Sequence, residues 1–213
     1  MIRHPNLILY LPFDGSFADA SKSANPITVT GATLTPGPQG QCGNFDGSDD
    51  YLRTGNNLGL SGTEDWTISF WIYRDGHADY SIIFWPATIG NTGLCLLLVW
   101  GNPLTTQFWI WVGPGTEAEA KGFLNNVWYH FVITSKNRRA IIFVNGQQVT
   151  LSRNNDLPSL TNAITNICSQ GDPYQGNAKL KGKLDELCVF KGLAVSQSDA
   201  KRLMMGLAPI ERR

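Results

Sequence analysis

The side chains able to do chemistry in this chain fall into three sets: carboxylates standing close in sequence, histidines, and tryptophans. A retaining glycosidase needs two carboxyl groups roughly 5 to 5.5 Å apart across the scissile bond. Glu117-Ala118-Glu119 has the spacing of a shared strand face, but VGPGTEAEAKG reads as a turn and predicts a solvated loop. Asp185 and Glu186 are adjacent, so a regular strand would send them to opposite faces. Of the three histidines, His4 is near the terminus, His77 lies in a turn and His130 lies in a strand pattern. No nucleophile or orienting acid stands at recognisable spacing from His130, which predicts a packed, hydrogen-bonded ring. G-x-S-x-G, HExxH, the P-loop and the dinucleotide fingerprint are missing from the sequence. The expectation is a protein that is not an enzyme.

Tryptophan offers different chemistry, since sugar rings stack their C–H faces on indole. Trp109 and Trp111 are two apart and share a strand face, with Trp100 nearby. LCLLLVW and FWIWV contain no polar residue in alternation, so both faces of these strands need cover. One face is covered by a second sheet. The other is expected to form a concave patch of Trp100, Trp109 and Trp111 contacted by a partner subunit, a capsid surface or a sugar. The same spacing also fits a second reading, in which the Trp109–Trp111 pair belongs to the interior. Trp85 is open to the same two readings.

The elements that must position these residues are short strands. Val127–Ile133 alternates with largely apolar residues on both faces, which predicts a central strand. Ile141–Val144 stops at Asn145-Gly146, the strongest short hairpin signal, and Gln147–Leu151 returns. Further strands are expected at Leu7–Phe13, Ile27–Thr30, Cys42–Asp46, Tyr51–Thr54, Trp66–Tyr73, Ser81–Phe84, Leu94–Trp100, Thr106–Val112, Ile164–Cys168 and Lys181–Phe190. Thr35–Gly40 reads as a long turn. One helix is predicted, opened by the capping box Ser196-Gln197-Ser198-Asp199, with an apolar stripe of Ala200, Leu203, Met204 and Leu207. The pattern predicts an all-β, two-sheet antiparallel sandwich with one short C-terminal helix, in a single domain spanning 1–213.

Charged residues make up 16% of the chain, below the roughly 25% of soluble domains. Net charge is +0 and the pI about 6.8, so no nucleic-acid partner is expected. No apolar run reaches the 18 or so residues of a membrane helix, and no signal peptide is read at the N-terminus. Cys42, Cys95, Cys168 and Cys188 are widely spaced without a CxxC, which favours free buried thiols over zinc or redox chemistry.

The ordered set FDGSDDYL (Phe45–Leu52), WTISFWIY, WYHFVIT, IIFVNGQQV (Ile141–Val149) and GKLDELCVFKGLAVS (Gly182–Ser196) resembles the laminin G-like, concanavalin A-like lectin/glucanase family. The resemblance implies a jelly roll serving as a binding module for glycans or proteins. It also puts Trp66 and Trp128 in the core, and it implies a structural calcium tying the first strand's end to the last strand, at Asp14 and Asp185. Without a signal peptide or sequon, the expected setting is a virion surface, as a decoration, tail or fibre protein partnered by other virion proteins or glycans. The alternative is a free extracellular lectin module.

Overall fold

The computed structural model describes residues 2–60, 63–75, 81–86, 96–100, 107–112, 118–157, 163–169 and 178–210, and side chains for all of these except 86, 96–100 and 107–111. The strands are β1 (Leu7–Leu11), β2 (Ile27–Thr30), β3 (Thr33–Gly37), β4 (Gly40–Asp46), β5 (Tyr51–Thr54), β6 (Trp66–Arg74), β7 (Ser81–Pro86) and β8 (Leu96–Trp100). They continue as β9 (Gln107–Val112), β10 (Ala118–Leu124), β11 (Trp128–Lys136), β12 (Arg139–Val144), β13 (Gln147–Gln148), β14 (Arg153–Asn154), β15 (Thr165–Ile167) and β16 (Lys181–Lys191). One helix, α1 (Gln197–Met204), follows.

The strands form two antiparallel sheets. One runs β13-β12-β11-β6-β16-β4-β3, with β1 pairing the second half of β16; the other runs β14-β10-β9-β8-β7-β15-β5-β2. Alternation decides which side chains meet between them. Trp66, Ile68, Phe70 and Ile72 of β6, Phe131 and Ile133 of β11, and Leu184, Leu187 and Val189 of β16 enter the inter-sheet core. Ile83 and Phe84 of β7 and Ala118 and Ala120 of β10 meet them from the second sheet. Phe70 and Phe131, directly opposed across β6 and β11, stack with centroids 5.9 Å apart.

The outer face of the first sheet is covered as well, which explains why β11 is apolar on both sides. Val132, Phe143, Cys188 and Phe190 pack beneath Ala200 and Leu203 of α1 and beneath Ile2, Leu7 and Tyr10. The helix begins as expected: Ser196 accepts from the amide of Asp199, and the Asp199 carboxylate accepts from the amide of Ser196. Its apolar stripe is shorter than the sequence suggests, because Leu207 lies beyond the helix and is exposed. Asn145 and Gly146 form the β12–β13 turn with φ of 48° and 73°, the left-handed pair that a type I′ hairpin needs. The Asn145 side chain accepts from the amide of His130 at 2.9 Å, tying this turn to the central strand.

Two sequence expectations about backbone are corrected. Thr33–Gly37 is a strand, with the turn confined to the residues joining Gly37 to Gly40; prolines are tolerated on an edge strand, and β3 is one. Ala118-Glu119 belongs to β10 rather than to a solvated loop, because Ala118 and Ala120 supply small side chains to the core. Glu117, the other acid of that stretch, lies outside the described residues, as do His77 and Cys95.

Candidate functional site

Two places hold the residues singled out by the sequence. The first is where β1, β4 and β16 meet. β16 pairs β4 through Lys181–Leu184 and β1 through Leu187–Phe190, and the changeover coincides with a β-bulge at which Glu186 takes φ of 51°. Leu184 and Leu187 both point inward, so the bulge leaves Asp185 and Glu186 on the same outer face. This corrects the regular-strand expectation that they point apart. The extra residue at the bulge absorbs the alternation.

Asp185 is fully buried. Its Oδ2 accepts from the amide of Gln39 at 3.1 Å and its Oδ1 from the amide of Glu186 at 2.8 Å. Burial pushes its pKa up to about 7, and the nearby charges of Glu186 and Asp14 add to the rise against these amides. Burial also raises Glu186, whose carboxylate accepts from the Tyr10 hydroxyl at 2.9 and 3.1 Å. Asp14 is exposed and accepts from the amide of Gln41 at 3.0 Å. Asp14 and Asp185 therefore converge on the β3–β4 turn, each through a backbone amide. Every carboxylate oxygen keeps a second lone pair. Among the described residues, the one group of three acids with ligand atoms within 4.8 Å of one another is Asp46, Asp49 and Asp50, in the β4–β5 turn. There Asp50 accepts from the amide of Asp46 at 2.8 Å, and Asp46 from that of Ser48 at 2.7 Å.

His130 lies on β11 two residues before Val132, on the outer face of the first sheet. It is fully buried, and its Nε2 lies 3.0 Å from the Ser69 hydroxyl. Its ring is 5.1 Å from that of Trp71, and burial pushes its pKa down to about 3. A neutral ring with no access to solvent cannot serve an external substrate; this is the packed histidine expected. Cys42, Cys168 and Cys188 are buried free thiols. Burial, with Asp185 close by, pushes Cys42 up to about 11.

The second place is the strand pair β8–β9 in the second sheet. β8 and β9 pair directly, Trp100 with Phe108 and Val99 with Trp109, so the two apolar runs are neighbours as expected. The side chains of Trp100, Trp109 and Trp111 lie outside the described residues. Trp111 stands opposite Glu119 in register, and Glu119, flanked by inward-pointing alanines, is buried and ion-paired with Lys121 at 2.5 Å. Trp85 is buried in a small cluster with Ile82 and Ala178 that stands apart from the inter-sheet core. Trp66 is buried as expected. Trp128 is only half-buried, tilted against the Tyr73 ring at 5.7 Å.

Two antiparallel sheets packed face to face around a shared core define a jelly-roll sandwich of the lectin type. Residues 46–200 match the Laminin_G_3 family, and the chain belongs to the concanavalin A-like lectin/glucanases superfamily. No curated protein matches it in sequence. Among solved structures it is similar to domain 4 of AbnA, a GH43 extracellular arabinanase from Geobacillus stearothermophilus, in complex with arabinotriose. That likeness has a TM-score of 0.71 at 18% identity and covers 93% of this chain and 98% of that one. It is also similar to botulinum neurotoxin type C, whose cell entry depends on interaction with two ganglioside molecules (TM-score 0.68, 15% identity, 94% and 51% covered). A third similar structure is the binding domain of botulinum neurotoxin DC in complex with rat synaptotagmin II (TM-score 0.68, 15% identity, 94% and 51% covered). The chain spans about half the length of these two toxin structures. At such identities the likeness is one of fold.

Proposed function

We propose that this domain is a non-catalytic binding module that recognises glycans from the outside of a particle or cell. The disposition of the acids carries the reading. Asp19, Asp50, Asp185, Glu186 and Asp199 are each buried and engaged by backbone amides or hydroxyls, and the buried Glu119 is ion-paired with Lys121, so these acids are committed to bracing the fold. The likeness to an arabinanase domain bound to arabinotriose, covering nearly all of both chains, supports a glycan as ligand. The toxin structure with synaptotagmin supports protein docking on the same scaffold. The setting we favour is a virion-associated decoration, tail or fibre protein; a free extracellular lectin module is the alternative.

The ligand face in this proposal is the side of β8 and β9 that carries positions 109 and 111, with Trp109 and Trp111 as stacking platforms; Trp100, expected from the sequence to join them, is in register with Phe108 and takes the alternate side with Val112. Replacing Trp109 and Trp111 together by Ala is expected to leave the circular dichroism spectrum unchanged and weaken arabino-oligosaccharide binding at least about tenfold. Loss of roughly 3–5 kcal/mol of stability per residue would instead place the pair in the core. Co-sedimentation with phage particles separates the virion setting from the free lectin.

A structural calcium at Asp14 and Asp185 belongs to the same proposal. Two carboxylates reaching one turn, beside a third that raises their charge repulsion, suit a hard cation that takes six to eight oxygens. Calcium added after a chelator is expected to raise the melting temperature of the wild type and to leave Asp14→Asn unchanged. If Asp49→Asn abolishes the rise and Asp14→Asn does not, the ion sits in the β4–β5 turn instead.

A further inference from the structure

A cavity of about 520 Å³ opens beside the start of β1, lined by Ile2, Arg3, His4, Pro5, Leu7, Ala20, Ser21 and Lys22. It lies far along the chain from the tryptophans of β8 and β9. Its volume falls within the roughly 300–1,000 Å³ of small-molecule sites. Ile2 and Leu7, both buried, provide an apolar floor. Two exposed cations, Arg3 and Lys22, stand among its lining residues, and no carboxylate does. Neither cation has an ion-pair partner among the described residues.

The walls are held rigidly. Asp19 fastens the loop that carries Ala20, Ser21 and Lys22, accepting from the amides of Tyr10, Ser21 and Asn25 and from the side chains of Ser21 and Asn25, all at 2.7–2.9 Å. Opposite, the amide of Asn6 donates to His4 Nδ1 at 3.2 Å, so a neutral His4 ring carries its proton on Nε2, and the ring packs edge-on against Phe190. An apolar floor with two uncommitted cations suits a ligand that has a C–H face and a negative charge. Arginine takes a carboxylate in a bidentate fork, and lysine adds a point charge.

We propose that this cavity is a second saccharide subsite, selective for carboxylate-bearing sugars such as sialic or uronic acids. The sugar half of this assignment rests on the glycan-binding reading above; the negative charge comes from the cavity itself. The probes are N-acetylneuraminic acid and glucuronic acid, with glucose as the neutral control, followed by chemical-shift perturbation and calorimetry. The acids are expected to bind where glucose does not perturb this region, with affinity that falls as salt is raised. Arg3→Ala with Lys22→Ala is expected to weaken the acids at least about tenfold, while Trp109→Ala with Trp111→Ala leaves them unaffected. Inorganic phosphate or sulfate competing at equal concentration would overturn the saccharide assignment. Acid binding lost only in the tryptophan variant, or no acid binding at all, would overturn the site. Neutral arabino-oligosaccharide binding, measured on the same samples, reports separately on the glycan-binding proposal.

Discussion

Asp19→Ala is expected to cost about 3–5 kcal/mol of stability, a large share of what a domain of this size possesses. Asp19 is 9% exposed, and its carboxylate accepts five hydrogen bonds, three of them from backbone amides of β1 and the following loop. Alanine would leave those amides facing a gap, and each buried unpaired amide costs about 1–3 kcal/mol, with some relief as the loop relaxes. Urea unfolding followed by tryptophan fluorescence measures the loss as a lower midpoint with the slope unchanged. Asp19→Asn keeps one acceptor oxygen but turns an amide group toward the Asn25 donors, so an intermediate loss is expected. A loss below about 1 kcal/mol for Asp19→Ala would show that the loop is not fastened in this way.

Gly182→Ala is expected to be comparably damaging for a different reason. Gly182 pairs with Phe45 on one side and Arg74 on the other, and its φ is 150°. A Cβ there would stand 2.1 Å from the Tyr73 carbonyl oxygen and 3.2 Å from the Arg74 Cα. Both are backbone atoms of a central strand, so neither can swing aside as a flexible side chain could. Relief requires β16 to part from β6, where the two strands also form the floor of the core. A loss of about 3 kcal/mol or more is expected, read from the same denaturant midpoint. An unchanged midpoint would mean that the two strands are not so closely joined at this point.

Period-two patterning made most of the sandwich legible in the sequence. Trp66–Tyr73 and Val127–Thr134 alternate over long runs, and the structure pairs them as neighbours along their whole length. Asn145-Gly146 and the Ser196 capping box were equally plain, because turn and cap chemistry depend on residues a few positions apart. The ordered family motifs carried the fold class for the same reason: each is a strand with its own turn residues. β10 was missed because a Pro/Gly-rich approach outweighed Ala118-Glu119-Ala120, whose small side chains become informative only opposite a filled core. β3 was missed because Pro36 and Gly37 read as turn, while an edge strand tolerates both.

The acids divide in the same way. Their presence at positions 14, 19, 185 and 186 is written in the sequence, and Asp-x-Ser at positions 19–21 carries the local signal of a side chain that binds its own backbone. What each acid does depends on partners far along the chain. Asp185 reaches Gln39, Glu186 reaches Tyr10, and Asp14 reaches Gln41. The bulge that turns Asp185 and Glu186 to one face arises where β16 changes partner from β4 to β1, an event no local pattern encodes. The sequence by itself thus determined most strand positions, the Asn145-Gly146 turn, the helix start and the family, all products of short-range sterics and alternation. Only the tertiary structure decided which buried acids are structural, why His130 stays neutral, and where Arg3 and Lys22 stand beside an apolar floor, because burial and charge depend on distances between distant segments.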